Sequence, residues 1–315
     1  SVDLIIGGHS HTVLNRDGLC ADNIVNGIPI VQTGAHGEYL GQVELTIQKK
    51  NITVTGASLI PTDSLQVDQA FEDNEMQPFI KRARELWGQP LGQVENIPDL
   101  STKAVLNDFA KRELALANFI ADALVERLTQ RGFLVDFAMI DASTLQCGLP
   151  FSDNLTYGDC FEVMPFTDTL RLYQITGRQL QDLFTDNVLR IDRPNDPHTE
   201  RGFLQFSREV EYTIELGKMR TDGRAKGIRV RKTPLARLAT TTFTIATTSF
   251  NRKLAAPWEA AWNRTQDTPL LDLYQFPFIE TDFLLRQEMV TYIQDHGGVT
   301  RAGGAQRDGR LRVRI

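Results

Sequence analysis

The chain of 315 residues is long enough for about two domains, each with an interior of its own. A hydrophobic fraction of 41% beside 23% charged residues excludes disordered, collagen-like and mucin-like chains. With 34 basic against 40 acidic residues the net charge is −6, which argues against a binder of nucleic-acid polymers but leaves room for a local pocket that takes a small anion.

Residues 2–6 form a short, β-branched apolar run ended by Gly7-Gly8, the pattern of a buried strand entering a tight loop. Strands are expected at 29–33, 42–48 and 52–59, the last two joined by a polar turn at Lys49-Lys50-Asn51. Residues 65–87 carry Phe71, Met76, Phe79, Ile80, Ala83 and Trp87 at helical spacing, a connecting helix by this reading. The pattern restarts after Gly88, so three parts are expected: 1–62, a helical linker 63–92, and 93–315. In the last part the spacing predicts a helix over 108–130 stopped by Gly132, a strand over 134–140, and a strand over 170–175 followed by a helix over 177–188. Strands are expected at 210–215, 228–232 and 241–247, a helix over 280–295, and a terminal strand within 301–314. The three cysteines, Cys20, Cys147 and Cys160, allow at most one bridge, with Cys147 and Cys160 the nearer pair and three separate thiols the alternative. No apolar run approaches the roughly 18 to 20 residues of a membrane span. The start at Ser1, without a basic and then apolar leader, predicts a chain that begins after processing or partway through a longer protein.

The sharpest chemical feature is Gly7-Gly8-His9-Ser10-His11-Thr12 directly after a strand, where α/β sheets place ligand loops. On extended backbone His9 and His11 project to one side, about 6 to 7 Å apart, a spacing that lets two imidazoles serve two metal ions about 3.5 to 4 Å apart. Two solvated loop histidines are the plainer reading of the tripeptide alone. His36, in a glycine-rich turn, reads as an exposed turn residue, and His198 and His296 as residues of polar loops.

The run Val2-Asp-Leu-Ile-Ile-Gly-Gly-His-Ser-His-Thr resembles the last metal-binding motif of calcineurin-like metallophosphoesterases, specifically the 5'-nucleotidase and UDP-sugar hydrolase family. The stretch Gly27-Ile-Pro-Ile-Val-Gln-Thr-Gly-Ala-His-Gly-Glu-Tyr-Leu-Gly is similar to that family's continuation. Arg112-Glu-Leu-Ala-Leu-Ala-Asn-Phe-Ile-Ala-Asp-Ala resembles the first helix of its C-terminal domain, and Thr156-Tyr-Gly-Asp-Cys-Phe-Glu-Val-Met-Pro-Phe the segment that walls a nucleotide pocket. The fold class implied is α/β and α+β: the end of a metallophosphoesterase sandwich followed by a 5'-nucleotidase C-terminal-type domain.

By this resemblance His9 and His11 are metal ligands of a dinuclear site for two divalent ions, zinc or manganese. The ions polarise phosphate and lower the pKa of a bound water. Each ion needs about four donors, and the family's other ligands precede this motif, so the chain by itself is expected not to hydrolyse nucleotides. Phe166 and Phe250 match the positions of two rings that sandwich a base, a contact open to any base because each has a π face. Asn251, Asp168 and Gln146 stand at the family's other pocket positions. Asp141-Ala-Ser-Thr-Leu-Gln146 replaces Asn-x-Gly-Gly-Ile-Arg, exchanging a charged bidentate arginine for a neutral amide. Asp141 and Asp168 have surface or turn aspartates as their plainer reading, and Arg252 with Lys253 is a candidate source of replacement positive charge. The implied parent is a periplasmic or extracellular metal-dependent phosphohydrolase whose partner is a nucleotide or related small phosphoester. A thiosulfohydrolase-like enzyme and a binding module without catalysis are the alternatives.

Overall fold

In the computed structural model the described residues are 2–49, 51–193, 202–218, 222–250, 273 and 276–314. Two units are delimited, Ser1–Lys81 and Arg82–Ile315. The first begins with β1 (Ile5–Ile6), β2 (Ile24–Val25) and β3 (Ile28–Val31), in the order β1-β3-β2, with β1 parallel to β3. The strand expected to be buried at 2–6 is only two residues long, and Ile6 is 79% exposed. Its partner β3 covers one edge, and the described residues of this unit leave its side chains open. A ten-residue β4 (Tyr39–Gln48) and an eleven-residue β5 (Asn51–Pro61) form an antiparallel hairpin that turns at Lys49, with φ 56°. The predicted long helix is interrupted: α1 (Gln69–Phe71), a wide turn over Glu72–Met76, then α2 (Gln77–Trp87).

The second unit continues through β6 (Pro90–Val94), α3 (Thr102–Asp108), α4 (Ala115–Gln130), β7 (Phe137–Asp141), β8 (Ser152–Thr156), α5 (Tyr157–Val163), β9 (Thr169–Thr176) and α6 (Gly177–Arg190). Thr156 with Asp159 and Thr176 with Gln179 form capping boxes that satisfy the first N–H groups of α5 and α6. After these come β10 (Leu204–Phe206), β11 (Val210–Glu215), β12 (Arg224–Val230), β13 (Thr233–Pro234), β14 (Thr242–Thr248) and β15 (Phe278–Leu284). The chain closes on α7 (Leu285–His296), β16 (Gly298–Val299) and β17 (Leu311–Arg314). Gly297 ends α7 in the left-handed conformation, φ 73°, which an L side chain adopts only with strain.

The central sheet runs β10-β7-β14-β9-β15, with β7 and β14 parallel and the other pairs antiparallel. Alternation assigns its two faces. Ala138, Ile140, Leu170, Leu172 and Ala246 join the core beneath α4 and α7, whereas Phe137, Met139, Tyr173, Ile175, Phe243 and Ile245 join the core shared with α6 and the sheet β13-β12-β11-β17. A strand buried on both sides needs apolar residues at every position, which is why β7 reads as a continuous run. That run starts at Phe137 and not at 134, since Leu134 is 88% exposed.

Two expected helices differ. The span 108–130 is divided: Asp108 ends α3, α4 starts at Ala115, and Glu113 between them turns inward to accept hydrogen bonds from Asn118 and from the N–H groups of Asp308 and Gly309. The span 280–295 begins as strand β15, and α7 starts only at Leu285.

Two polar networks lie inside this unit. Arg127 of α4 is held by Glu288 of α7 at 2.9 Å. Arg310 forms a two-pronged pair with Asp122 of α4 at 2.8 and 3.0 Å, and bonds Asp308 at 2.6 Å.

Candidate functional site

Both opening histidines have positive φ, 67° at His9 and 56° at His11, so the extended-backbone geometry expected for them does not hold. The chain doubles back between them, with the Ser10 N–H donating to Gly8 O at 2.8 Å. Gln32 fixes the turn through Ser10 Oγ at 2.8 Å, and its Oε1 lies 2.6 Å from where a Cβ on Gly7 would stand. Both imidazoles are exposed, and the ring of His36, also exposed, stands edge-on to His11 with centroids 5.6 Å apart. Among the described residues no group of three or more His, Cys, Asp or Glu side chains is arranged to hold a metal ion.

In the second unit β7 and β14 end, and β9 begins, at one end of the sheet. That register collects Asp141, Ser249, Asp168 and the start of α7. Ser249 ties the two aromatic loops together: its N–H donates to Thr169 O at 2.8 Å, and its Oγ accepts from the Thr169 N–H at 3.1 Å. Its hydroxyl also reaches Asp168 Oδ1 at 3.4 Å. Phe250 follows directly and is half-buried against the core on the α6 side, while Phe166 is 49% exposed. Gln146 is exposed; its amide N–H donates to Val163 O at 3.0 Å beside the Phe166 loop, and its side chain donates to Ser143 O at 2.8 Å. Asn251, Arg252, Lys253 and His198 lie outside the described residues.

Asp141 is not a surface group: it is fully buried, capping the turn Ala142–Thr144 through Oδ1 to the Ser143 N–H at 2.9 Å. Among the described residues Oδ2 has no hydrogen-bond partner, and it lies where a Cβ on Gly202 would come within 1.6 Å. Burial pushes its carboxyl above the ordinary value; the Ser143 hydrogen bonds and the Arg190 charge oppose this, and the Asp168 charge adds to it. A carboxyl in this state can donate a hydrogen bond where asparagine or an ionised aspartate offers a different pattern.

His296 is a helix-end residue and not a loop residue. Its Nδ1 lies 2.9 Å from Tyr292 O, its ring stacks on Tyr292 at 4.0 Å, and Nε2 is 3.3 Å from Glu126. Cys20, Cys147 and Cys160 are all free thiols. The sequence reading did not single out Arg286, which donates to the carbonyls of Met164 and Phe166. A cation in the first turn of a helix, against the macrodipole, is the one signal that could have flagged it.

These features define a mixed α/β domain with two aromatic loops joined at one end of its central strands. The family model described as 5'-nucleotidase, C-terminal domain, matches residues 90–257, more than half of the chain, and the chain belongs to that family. The chain is 25% identical over 221 residues to the trifunctional nucleotide phosphoesterase protein YfkN of Bacillus subtilis (strain 168), covering 68% of this chain and 14% of the relative. It is 25% identical over 231 residues to the 5'-nucleotidase of Mus musculus, covering 66% of this chain and 39% of the relative. The chain thus spans 39% or less of the length of these curated relatives. The 5'-nucleotidase precursor of Thermus thermophilus shares the fold over 99% of this chain and 59% of its own, with a TM-score of 0.58 at 20% identity. No helix among the described residues is long and apolar enough to cross a membrane.

Proposed function

We propose that this chain is the substrate-binding part of a divalent-metal-dependent phosphohydrolase acting on a nucleotide or related small phosphoester, with residues 1–62 closing the metal-binding domain, 63–92 connecting and 93–315 holding the substrate. The observation that carries this reading is the Ser249 brace, which sets the loop of Phe166 beside that of Phe250 at one end of the sheet. Phe166, half in solvent, and Phe250, seated on the core, are the two rings for a base. Asp168 accepts hydrogen bonds from the ligand, Gln146 stands at the neighbouring turn, and Asn251 completes the set.

His9 and His11 are exposed imidazoles, a donor type that suits zinc and, with oxygen ligands, manganese. In this reading each ligates one ion, and the other donors lie beyond the described residues, since two donors do not hold two ions. When bound, the ions supply a water acidified for attack on phosphorus. No step of hydrolysis is assigned to the side chains of this chain. The parent works in the periplasm or outside the cell, the setting implied by the family resemblance. A non-catalytic binding module is the second reading, favoured by Gln146, whose amide is spent on its own turn instead of offering a charged grip.

Titration calorimetry of the chain with adenosine tests the pocket. Saturable binding is expected, and Phe166→Ala or Phe250→Ala should each weaken it by about 1 to 3 kcal/mol, the worth of one stacked ring. Absence of saturable binding, or ring variants as tight as the parent chain, overturns the reading.

A further inference from the structure

Arg286 occupies the second position of α7, where a positive charge opposes the helix dipole, so helix stability does not explain it. Its surroundings do. Nη1 donates to Met164 O at 2.6 Å and to Phe166 O at 3.3 Å. The guanidinium lies over the Phe161 ring at 4.4 Å, and Nε donates to the Tyr157 hydroxyl at 3.4 Å. One residue earlier, the Leu285 N–H donates to Asp168 O at 2.9 Å. Three alternate carbonyls of the segment 164–168 are therefore held by the first turn of α7, from the side opposite Ser249.

Phe161 is itself fixed. Trp87 meets it edge-on with centroids 5.2 Å apart, and Gly158 leaves the space for the indole, since a Cβ there would come within 2.0 Å of Trp87 Cδ1. A planar cation clamped on a fixed ring can hold two carbonyls at a set angle, which a lysine, a point charge on a flexible stem, cannot do.

From this geometry we infer that Arg286 is a positioning residue that holds the backbone under Phe166 so that the exposed ring stands in its base-stacking place. The inference rests on the stacking role given to Phe166 in the proposed function. The described contacts of Arg286 are with the carbonyls flanking the ring and with Tyr157 and Phe161, so its effect on a base is expected to pass through the placement of Phe166.

The test is a double-mutant cycle on the full chain, read by titration with adenosine and, as a ligand without a base, with ribose 5-phosphate. Arg286→Ala should weaken adenosine binding about tenfold, within the range of a lost stacking contact, and leave ribose 5-phosphate unchanged. On a Phe166→Ala background the same substitution should cost nothing further. Arg286→Lys, which keeps the charge and serves if the alanine variant does not fold, should fall between the two. Equal loss of both ligands, additive losses in the cycle, or full affinity in Arg286→Lys overturns the positioning role. Adenosine affinity unchanged by Phe166→Ala alone overturns the stacking reading instead, and with it the inference built on it.

Discussion

Replacing Arg310 with alanine would strand the Asp122 carboxylate in the interior. Arg310 is 5% exposed, and the Asp122 side chain 1%. The guanidinium makes two hydrogen bonds to Asp122, at 2.8 and 3.0 Å, and another to Phe206 O at 3.1 Å. Removing one member of such a buried pair costs about 3 to 5 kcal/mol, because the remaining charge keeps its desolvation penalty without its partner. Here the low end applies: Arg208, itself exposed, stays 3.0 Å from Asp122 Oδ2, and the Arg208 N–H still donates to Oδ1 at 2.7 Å. At about 2 to 4 °C per kcal/mol for a unit of this size, a loss of roughly 3 kcal/mol lowers Tm by about 6 to 12 °C. Calorimetry and urea unfolding of the full chain read it, with an unchanged m-value marking a pure stability effect. Arg208→Ala, which removes only the exposed partner, should cost under about 1 kcal/mol. A Tm drop below about 2 °C in Arg310→Ala, or equal drops in the two variants, refutes the assignment of Arg310 as the counter-charge of Asp122.

Asp141→Asn probes the buried carboxyl. Because burial raises its folded-state value, the stability Asp141 contributes is full below the ordinary carboxylate range and is lost as pH rises through that raised value. The Tm advantage of Asp141→Asn over the parent should therefore grow from about pH 4 to pH 8, and parallel Tm profiles would show that the carboxyl is not perturbed. Gly177→Ala should destabilise by about 1 to 3 kcal/mol through overpacking, although alanine is the better helix former. The reason is local: a Cβ on Gly177, the first residue of α6, would sit 2.0 Å from Leu238 O. Unfolding in urea showing equal or greater stability would refute that close approach.

Where neighbours in sequence decide the structure, the sequence was readable. The hairpin around Lys49, the helix stopped by Gly132 and the strand Val210–Glu215 follow from short periodic runs and turn residues. What it hid depends on partners far away. Glu113 looks like one more helical residue, yet it breaks the helix to bind N–H groups 195 and 196 residues later. β15 carries Glu280 and Asp282, whose charges suggest an exposed helix, but among the described residues it is the edge strand of the central sheet, pairing with β9 through an irregular register, with φ 59° at Asp282. The pocket shows the same division. Phe166 and Phe250 could be named only through the family motifs around them. The Ser249 bridge and the Arg286 clamp, the latter spanning 120 residues, follow no local period and emerge only once the sheet register is known.

The Arg310–Asp122 bond joins residues 188 apart, and β17 completes its sheet by pairing in parallel with β11. During synthesis, at about 5 to 20 residues per second, α4 is therefore made many seconds before its counter-charge leaves the ribosome. Until then the nascent unit holds Asp122 with only the exposed Arg208 as counter-charge and carries an open edge on β11, a stretch in which a chaperone or a wrong strand has access to it. A chain lacking residues 308–314 would keep that open edge on β11 permanently.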